Sequence, residues 1–241
     1  MWEKTGDGRE WMVPFRRQDD PVRWEVLVAE DKAVTTQTDA NDPLMSGVEY
    51  PPGMGFFPTS SSSAPFVMVR MLDALRVEPG MRVLEIGTGT GYNAACLAAL
   101  GAEVVSVEID LELADRAREA LRDAGTSDVV VIAGDGEYGA PAYAPFDRVI
   151  ATAAAHTIPF PWVEQTRDGG LIVVPYTGKG CKNGLMVLKV QAASAVGTIQ
   201  GEAAFMPLCG QKLSQSDLQT IETIPGLRVE VTREGQRLIA V

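Results

Sequence analysis

The pattern of apolar and polar positions divides the chain at Thr59. Before it, Trp2, Trp11, Phe15 and Trp24 are scattered among charges with no sustained period, and only Arg23–Ala29 offers a short helix or strand. Residues 41–58 hold four prolines and three glycines, the composition of a long loop. From Thr59 onward the pattern is regular. The serine run 60–63 and Pro65 precede apolar positions Phe66, Val67, Val69, Met71, Leu72 and Leu75, which predicts a helix with a serine cap and an early proline. Strands and helices then alternate. Strands are predicted at 82–86, 103–107, 128–133, 147–151 and 170–175, and helices at 91–100, 111–124 and 161–166. Continuous apolar strands separated by helices indicate a mostly parallel sheet covered on both faces. After Gly178 the pattern changes: 185–191 and 201–208 read as an antiparallel pair, and 227–241 as a terminal hairpin around Glu234-Gly235. The expected organisation is an irregular substrate-side region 1–58, an α/β core 59–210 and an extension 211–241 packed on the core.

The chemistry sits at one strand-to-helix turn, Val83-Leu84-Glu85-Ile86-Gly87-Thr88-Gly89-Thr90-Gly91-Tyr92. Alternate glycines let backbone approach a ligand closely, and the helix that follows presents unpaired N–H groups. The dinucleotide fingerprint is GxGxxG, whereas this turn is ExGxGxG. The acidic Glu85 suits a cofactor bearing an ammonium and a sulfonium, which points to S-adenosylmethionine (product S-adenosylhomocysteine). Glu108, ending the next strand, is placed to accept ribose hydroxyl hydrogens, and Asp135 beside Gly136, after the third strand, to meet the adenine amino group. Taken singly, Glu108 reads as a solvated strand end and Asp135 as a turn residue.

Charge and cysteine content narrow the class. The 241 residues carry a net charge of −11 and only one basic doublet, Arg16-Arg17, so a grip on nucleic-acid phosphates is disfavoured. No run of 18 apolar residues and no signal-like N-terminus occur, which argues against a membrane partner or export. Three scattered cysteines form neither a metal motif nor a disulfide framework; no metal is expected, and a cytoplasmic location is. Cys96 reads as packing on the first helix of the core. Oligomeric state is not legible, with a monomer the working expectation.

Four segments together resemble a known family. VLEIGTGTGYNAA (83–95), GDG (134–136), APFDRVIATAAA (144–155) and DGGLIVVPYTG (168–178) are similar to the protein-L-isoaspartate O-methyltransferases, as are Ser63-Ala64-Pro65 and AAFMPL (203–208). The resemblance covers about residues 59–210. It implies a class I S-adenosylmethionine-dependent methyltransferase, Rossmann-like, with a mostly parallel seven-stranded sheet and an antiparallel C-terminal hairpin. It implies Ser63 beside the substrate carboxylate; Ser62 and Thr59 are candidates for the same role or for capping the helix. Around the cofactor it implies Gly87, Gly89, Glu108, Asp135 and Gly136; Glu85, Thr88, Thr90, Gly91, Tyr92, Asn93, Ile109 and Thr152 are further candidates for the same site. On spacing alone Ser63 is equally a helix cap. His156, the only histidine, is a sheet-edge loop residue or a substrate contact.

A carboxylate is already ionised at neutral pH and needs no general base to attack a methyl group. The main reading is therefore an enzyme esterifying an aspartyl or isoaspartyl carboxylate of a peptide or protein. The TSSSS run and ATAAAHTIPFPWVEQT look closer to a diverged branch that accompanies ribosomal-peptide maturation, where the ester closes to an aspartimide. This predicts a dedicated peptide substrate. The alternatives are general isoaspartyl repair and a catalytically silent cofactor- or partner-binding protein.

Overall fold

In the computed structural model, residues 1–4, 12–38 and 58–239 are described. The chain folds as two compact units, residues 1–68 and 69–241. The first is more regular than its sequence suggests. β1 (Trp2–Lys4) pairs antiparallel with β2 (Met12–Pro14), and β3 (Val34–Thr38) pairs antiparallel with β4 (Pro58–Ser62). Arg23–Ala29 lies within a helix, α1 (Pro21–Ala29). Its N-cap Asp20 accepts the Arg23 N–H, and a proline occupies its first turn. The rings of Phe15 and Trp24 stack at 6.2 Å. The predicted loop 41–58 lies, but for Pro58, outside the described residues.

The serine run is a strand end, not the start of a helix. Ser62 pairs with Val34, Ser61 with Thr35 and Ser60 with Gln37. Helix α2 (Pro65–Leu75) starts at the expected proline, but its first-turn Phe66 N–H goes to Asp31, at 2.8 Å, instead of to a serine. Asp31 supplies the acceptor from 35 residues upstream.

The second unit is an α/β sheet of nine strands, not seven, in the order β13-β12-β11-β10-β9-β8-β5-β6-β7. Its parallel part comprises β5 (Arg82–Ile86), β6 (Glu103–Glu108), β7 (Val130–Ala133), β8 (Phe146–Ala151) and β9 (Thr166–Gly178). Val83, Leu84, Val149 and Ile150 are fully buried, as expected of strands covered on both faces. Each such side chain contributes about 1.5–3 kcal/mol by leaving water. Helix α3 (Tyr92–Ala99) follows β5. Helix α4 (Leu111–Asp123) follows β6, capped by Asp110, which accepts the N–H groups of Glu112 and Leu113. Leu113, Ala114, Ala117 and Leu121 form its buried stripe, and Gly125 at φ 74 ends it. A short helix, α5 (Phe160–Glu164), joins β8 to β9.

The antiparallel part is β9, β10 (Cys181–Gln191), β11 (Ser194–Glu202), β12 (Arg228–Thr232) and β13 (Gly235–Ile239), with α6 (Gln215–Thr220) between β11 and β12. The terminal hairpin is where the pattern put it, and it widens the sheet to nine. The expected strand 201–208 is displaced: β11 ends at Glu202, and residues beyond it make only a bridge from Pro207 to Ala154. The reason is a tight turn at Ala192-Ala193, both at positive φ (50° and 57°), where such hairpins ordinarily carry Asn-Gly. Among the described residues no helix is long and apolar enough to cross a membrane.

Candidate active site

β5 and β8 are neighbours, and from this pair the chain order runs outward in both directions. Open α/β sheets bind ligands at the carboxyl ends of strands flanking such a switch. The glycine turn lies there. Gly87 (φ 92), Gly89 (φ 54) and Gly91 (φ 82) all adopt left-handed backbone. A Cβ on Gly87 would lie 2.9 Å from the Thr152 hydroxyl oxygen. That hydroxyl donates to the Gly87 carbonyl at 2.6 Å, tying the turn to the end of β8. Gly87 N–H in turn donates to Val107 O on the β6 side, at 2.8 Å.

The buried acid of the motif does not face a ligand. Glu85 is fully buried; Asn93 Nδ2 donates to one of its oxygens at 2.7 Å and Ser106 Oγ to the other at 2.5 Å. Because the Ser106 proton goes to the carboxylate, the Thr88 hydroxyl donates to Ser106 Oγ, also at 2.5 Å. Glu85, Thr88 and Asn93, expected to touch the cofactor, thus form a buried brace beneath the turn. Burial pushes the Glu85 carboxyl up to about 7, against the hydrogen bonds from Ser106 and Asn93, which lower it, and with the nearby Glu108 charge, which raises it. Ser106 was not singled out from the sequence; its only signal is a polar residue inside an otherwise apolar strand.

Glu108 behaves differently. Its Oε2 accepts the Gly89 N–H at 2.7 Å and its Oε1 the Asp110 N–H at 3.1 Å, so one carboxylate joins the glycine turn to the start of α4. Asp135 is exposed and accepts the Glu137 N–H with Oδ1. A Cβ on the intervening Gly134 would meet no atom within 4 Å, so the space beside these acids is open. Tyr92 and Ile109 expose apolar surface at the same rim, 53% and 48% accessible. Asn93 Oδ1, buried, has no hydrogen-bond partner among the described residues. Open backbone, two acids and exposed apolar side chains fit a charged nucleoside cofactor.

Support beneath Asp135 comes from residues that sequence reasoning missed. Trp162 Nε1 donates to Gly136 O at 2.8 Å, and Gln165 bridges Tyr138 O and Ala140 N–H. Gly136 itself is close-packed, since a Cβ there would lie 2.5 Å from Ile86 Cγ2. Trp162→Phe leaves the buried Gly136 carbonyl without its donor, at a cost of about 1–3 kcal/mol. Thermal melts are expected to show a drop of a few to about ten degrees.

Thr59 and Ser62 lie on β4, and Ser63 follows it, partly exposed and with no hydrogen-bond partner for its hydroxyl among the described residues. Asp31 serves α2 in the capping place proposed for Ser63, so Ser63 is not spent there. His156 is partly buried; its Nδ1 shares a hydrogen bond with the Thr157 hydroxyl at 2.9 Å, and its N–H donates to Gln211 Oε1.

The sequence model of the protein-L-isoaspartate (D-aspartate) O-methyltransferases matches residues 47–213. The chain belongs to this family. A protein-L-isoaspartate O-methyltransferase of Methanoculleus marisnigri is 44% identical over 150 residues, spanning 62% of this chain and 67% of the relative. One from Gloeobacter violaceus is 42% identical over 62% of this chain and 73% of its own. A solved protein-L-isoaspartate O-methyltransferase superposes with a TM-score of 0.65, at 25% identity, over 90% of this chain and 77% of that one. A structure of the putative Plasmodium falciparum protein, in complex with S-adenosylhomocysteine, superposes at 0.53 over 67% of this chain and 78% of that one; at 18% identity it speaks for the fold alone. The fold is that of the class I methyltransferases, and this member of the family is a carboxyl O-methyltransferase by descent.

Proposed function

We propose that this protein is an S-adenosylmethionine-dependent protein-L-isoaspartate O-methyltransferase acting in general repair. The observation that carries the reading is the rim at the β5/β8 switch, where Glu108 anchors Gly89 beside open backbone in a chain whose relatives share that activity in name. Those names favour repair over the dedicated peptide substrate expected from the TSSSS and HTIPFPWVEQT segments. S-adenosylmethionine, when bound, supplies an electrophilic methyl group on a sulfonium. Glu108 would take the ribose hydroxyls, Asp135 the adenine amino group and the glycine turn the methionine end. Tyr92 and Ile109 would cover the base.

The acceptor carboxylate arrives ionised, so the protein needs to orient it and exclude water, not to remove a proton. Opposite charges vanish as the methyl moves, and a dry site favours that loss. Ser63 donates a hydrogen bond to the acceptor carboxylate, with Ser62 and Thr59 shaping its approach. The resulting ester is neutral; when the neighbouring backbone nitrogen attacks its carbonyl carbon, the C–O bond breaks and methanol leaves, carrying the amide proton. The five-membered imide formed then opens in water to a normal or an isomerised linkage.

The test is a panel of unrelated isoaspartyl peptides, each paired with its aspartyl counterpart and followed by mass spectrometry. Methylation across the isoaspartyl set and none of the aspartyl set is expected. Selective methylation of one precursor aspartate would replace repair with tailoring of that peptide. Ser63→Ala is expected to lower kcat/KM about ten- to a hundredfold, the worth of a hydrogen bond to a charged group. Its affinity for S-adenosylhomocysteine by calorimetry should stay within about twofold of the parent.

A further inference from the structure

The carboxyl rim holds a concavity of about 430 Å³ between the β9–β10 turn and residues 213–224. Its apolar lining comes from Leu213, Ile221 and Ile224, with His156 and Lys179 also facing it. It is built, not incidental. Ile224 N–H donates to Gly180 O at 2.8 Å, and a Cβ on Gly178 would lie 2.8 Å from His156 O, so the turn must pass close beneath. Helix α6 is fixed by a capping box in which Ser214 and Asp217 bond reciprocally. The family match ends at residue 213, so α6 and the residues to Ile224 lie beyond it.

This pocket is bonded to the cofactor rim. Gln211 Oε1 accepts the N–H groups of His156 and Thr157, and its Nε2 donates to Glu137, whose own N–H donates to Asp135. A polypeptide acceptor spans about 3.3 Å per extended residue, so residues flanking the reacting carboxylate must cross the surface around it. An acidic occupant is disfavoured by the net charge of −11 and by Glu222 at the pocket wall. A neutral, apolar side chain suits the lining.

We infer that this pocket receives an apolar side chain of the acceptor polypeptide close to the isoaspartyl residue, and so ranks acceptor sites by their flanking sequence. The inference rests on the repair reading above. Its test uses two isoaspartyl peptides that differ only in one flanking residue, phenylalanine or glycine, in methylation assays and as fluorescent probes in polarisation binding to the whole protein. The parent enzyme is expected to favour the phenylalanine peptide about tenfold in kcat/KM and in binding. Ile221→Asp is expected to erase that preference while moving the glycine peptide less than twofold. Ile221→Val should keep it, and a calorimetric titration with S-adenosylhomocysteine shows that each variant is folded. Equal treatment of the two peptides by the parent, or an equal loss for both in Ile221→Asp, overturns the inference. Polarisation that favours the phenylalanine peptide and is lost in Ile221→Asp, with neither peptide methylated, supports the pocket and overturns the repair reading instead.

Discussion

Gly87→Ala is expected to abolish measurable cofactor binding and to lower the melting temperature by about 5–15 °C. Two costs act together. At φ 92 an alanine takes a left-handed conformation that costs about 1–2 kcal/mol. Its Cβ also meets the Thr152 hydroxyl oxygen at 2.9 Å, which must shift. That hydroxyl is the one that holds the turn, through its 2.6 Å bond to Gly87 O, so moving it gives up a bond worth about 0.5–1.5 kcal/mol. The turn then no longer sits where Glu108 receives the Gly89 N–H. Calorimetry with S-adenosylhomocysteine should show at least a hundredfold loss. Near-parent affinity would show that the turn is not the cofactor's seat.

Glu85→Gln is expected to stabilise the protein above neutrality while leaving it unchanged in acid. The folded carboxyl titrates at about 7, above the 4.5 of a free glutamate, mainly because it is buried. Between those two pH values the unfolded chain releases the proton and the folded chain keeps it. Stability therefore falls as pH rises through the window, by roughly 3 kcal/mol in all, and the loss persists above pH 7. Below pH 4.5 both states are protonated and the penalty is absent. Glutamine carries no charge to desolvate. Its oxygen can accept from Ser106, and once the Asn93 amide turns over, its own amide can donate to Asn93 Oδ1 in place of the bond that Asn93 Nδ2 gives Glu85. At pH 8 the variant should melt about 6–12 °C above the parent, and the gap should close towards pH 4. Parallel melting curves across that range would mean that Glu85 does not hold a raised carboxyl in the folded protein.

The relation between Glu85 and its surroundings shows where reading from sequence stops. The motif 85–91 locates the turn because glycine spacing is a local property of backbone freedom. It does not say which way Glu85 points. That depends on Ser106 in β6 and Asn93 in α3 converging on it, and the result is a brace below the turn instead of a contact above it. Glu108 and Asp135 were legible as candidates because Glu108 ends β6 and Asp135 follows β7 by two residues, and strand ends on one edge of a parallel sheet meet by construction. Trp162, Gln165 and Gln211 were not, because each acts on a carbonyl or N–H more than 20 residues away.

By itself, the sequence determined the parallel core, its helices and the glycine turn, because apolar run length, capping and backbone freedom act over a few neighbouring residues. Only the tertiary structure decided that the serine run is a strand edge paired with β3, that Asp31 caps α2, that Ala192-Ala193 turns a hairpin and that the sheet reaches nine strands. Each of these is a pairing between groups distant along the chain, or a backbone conformation its residues do not prefer and that the surrounding sheet imposes.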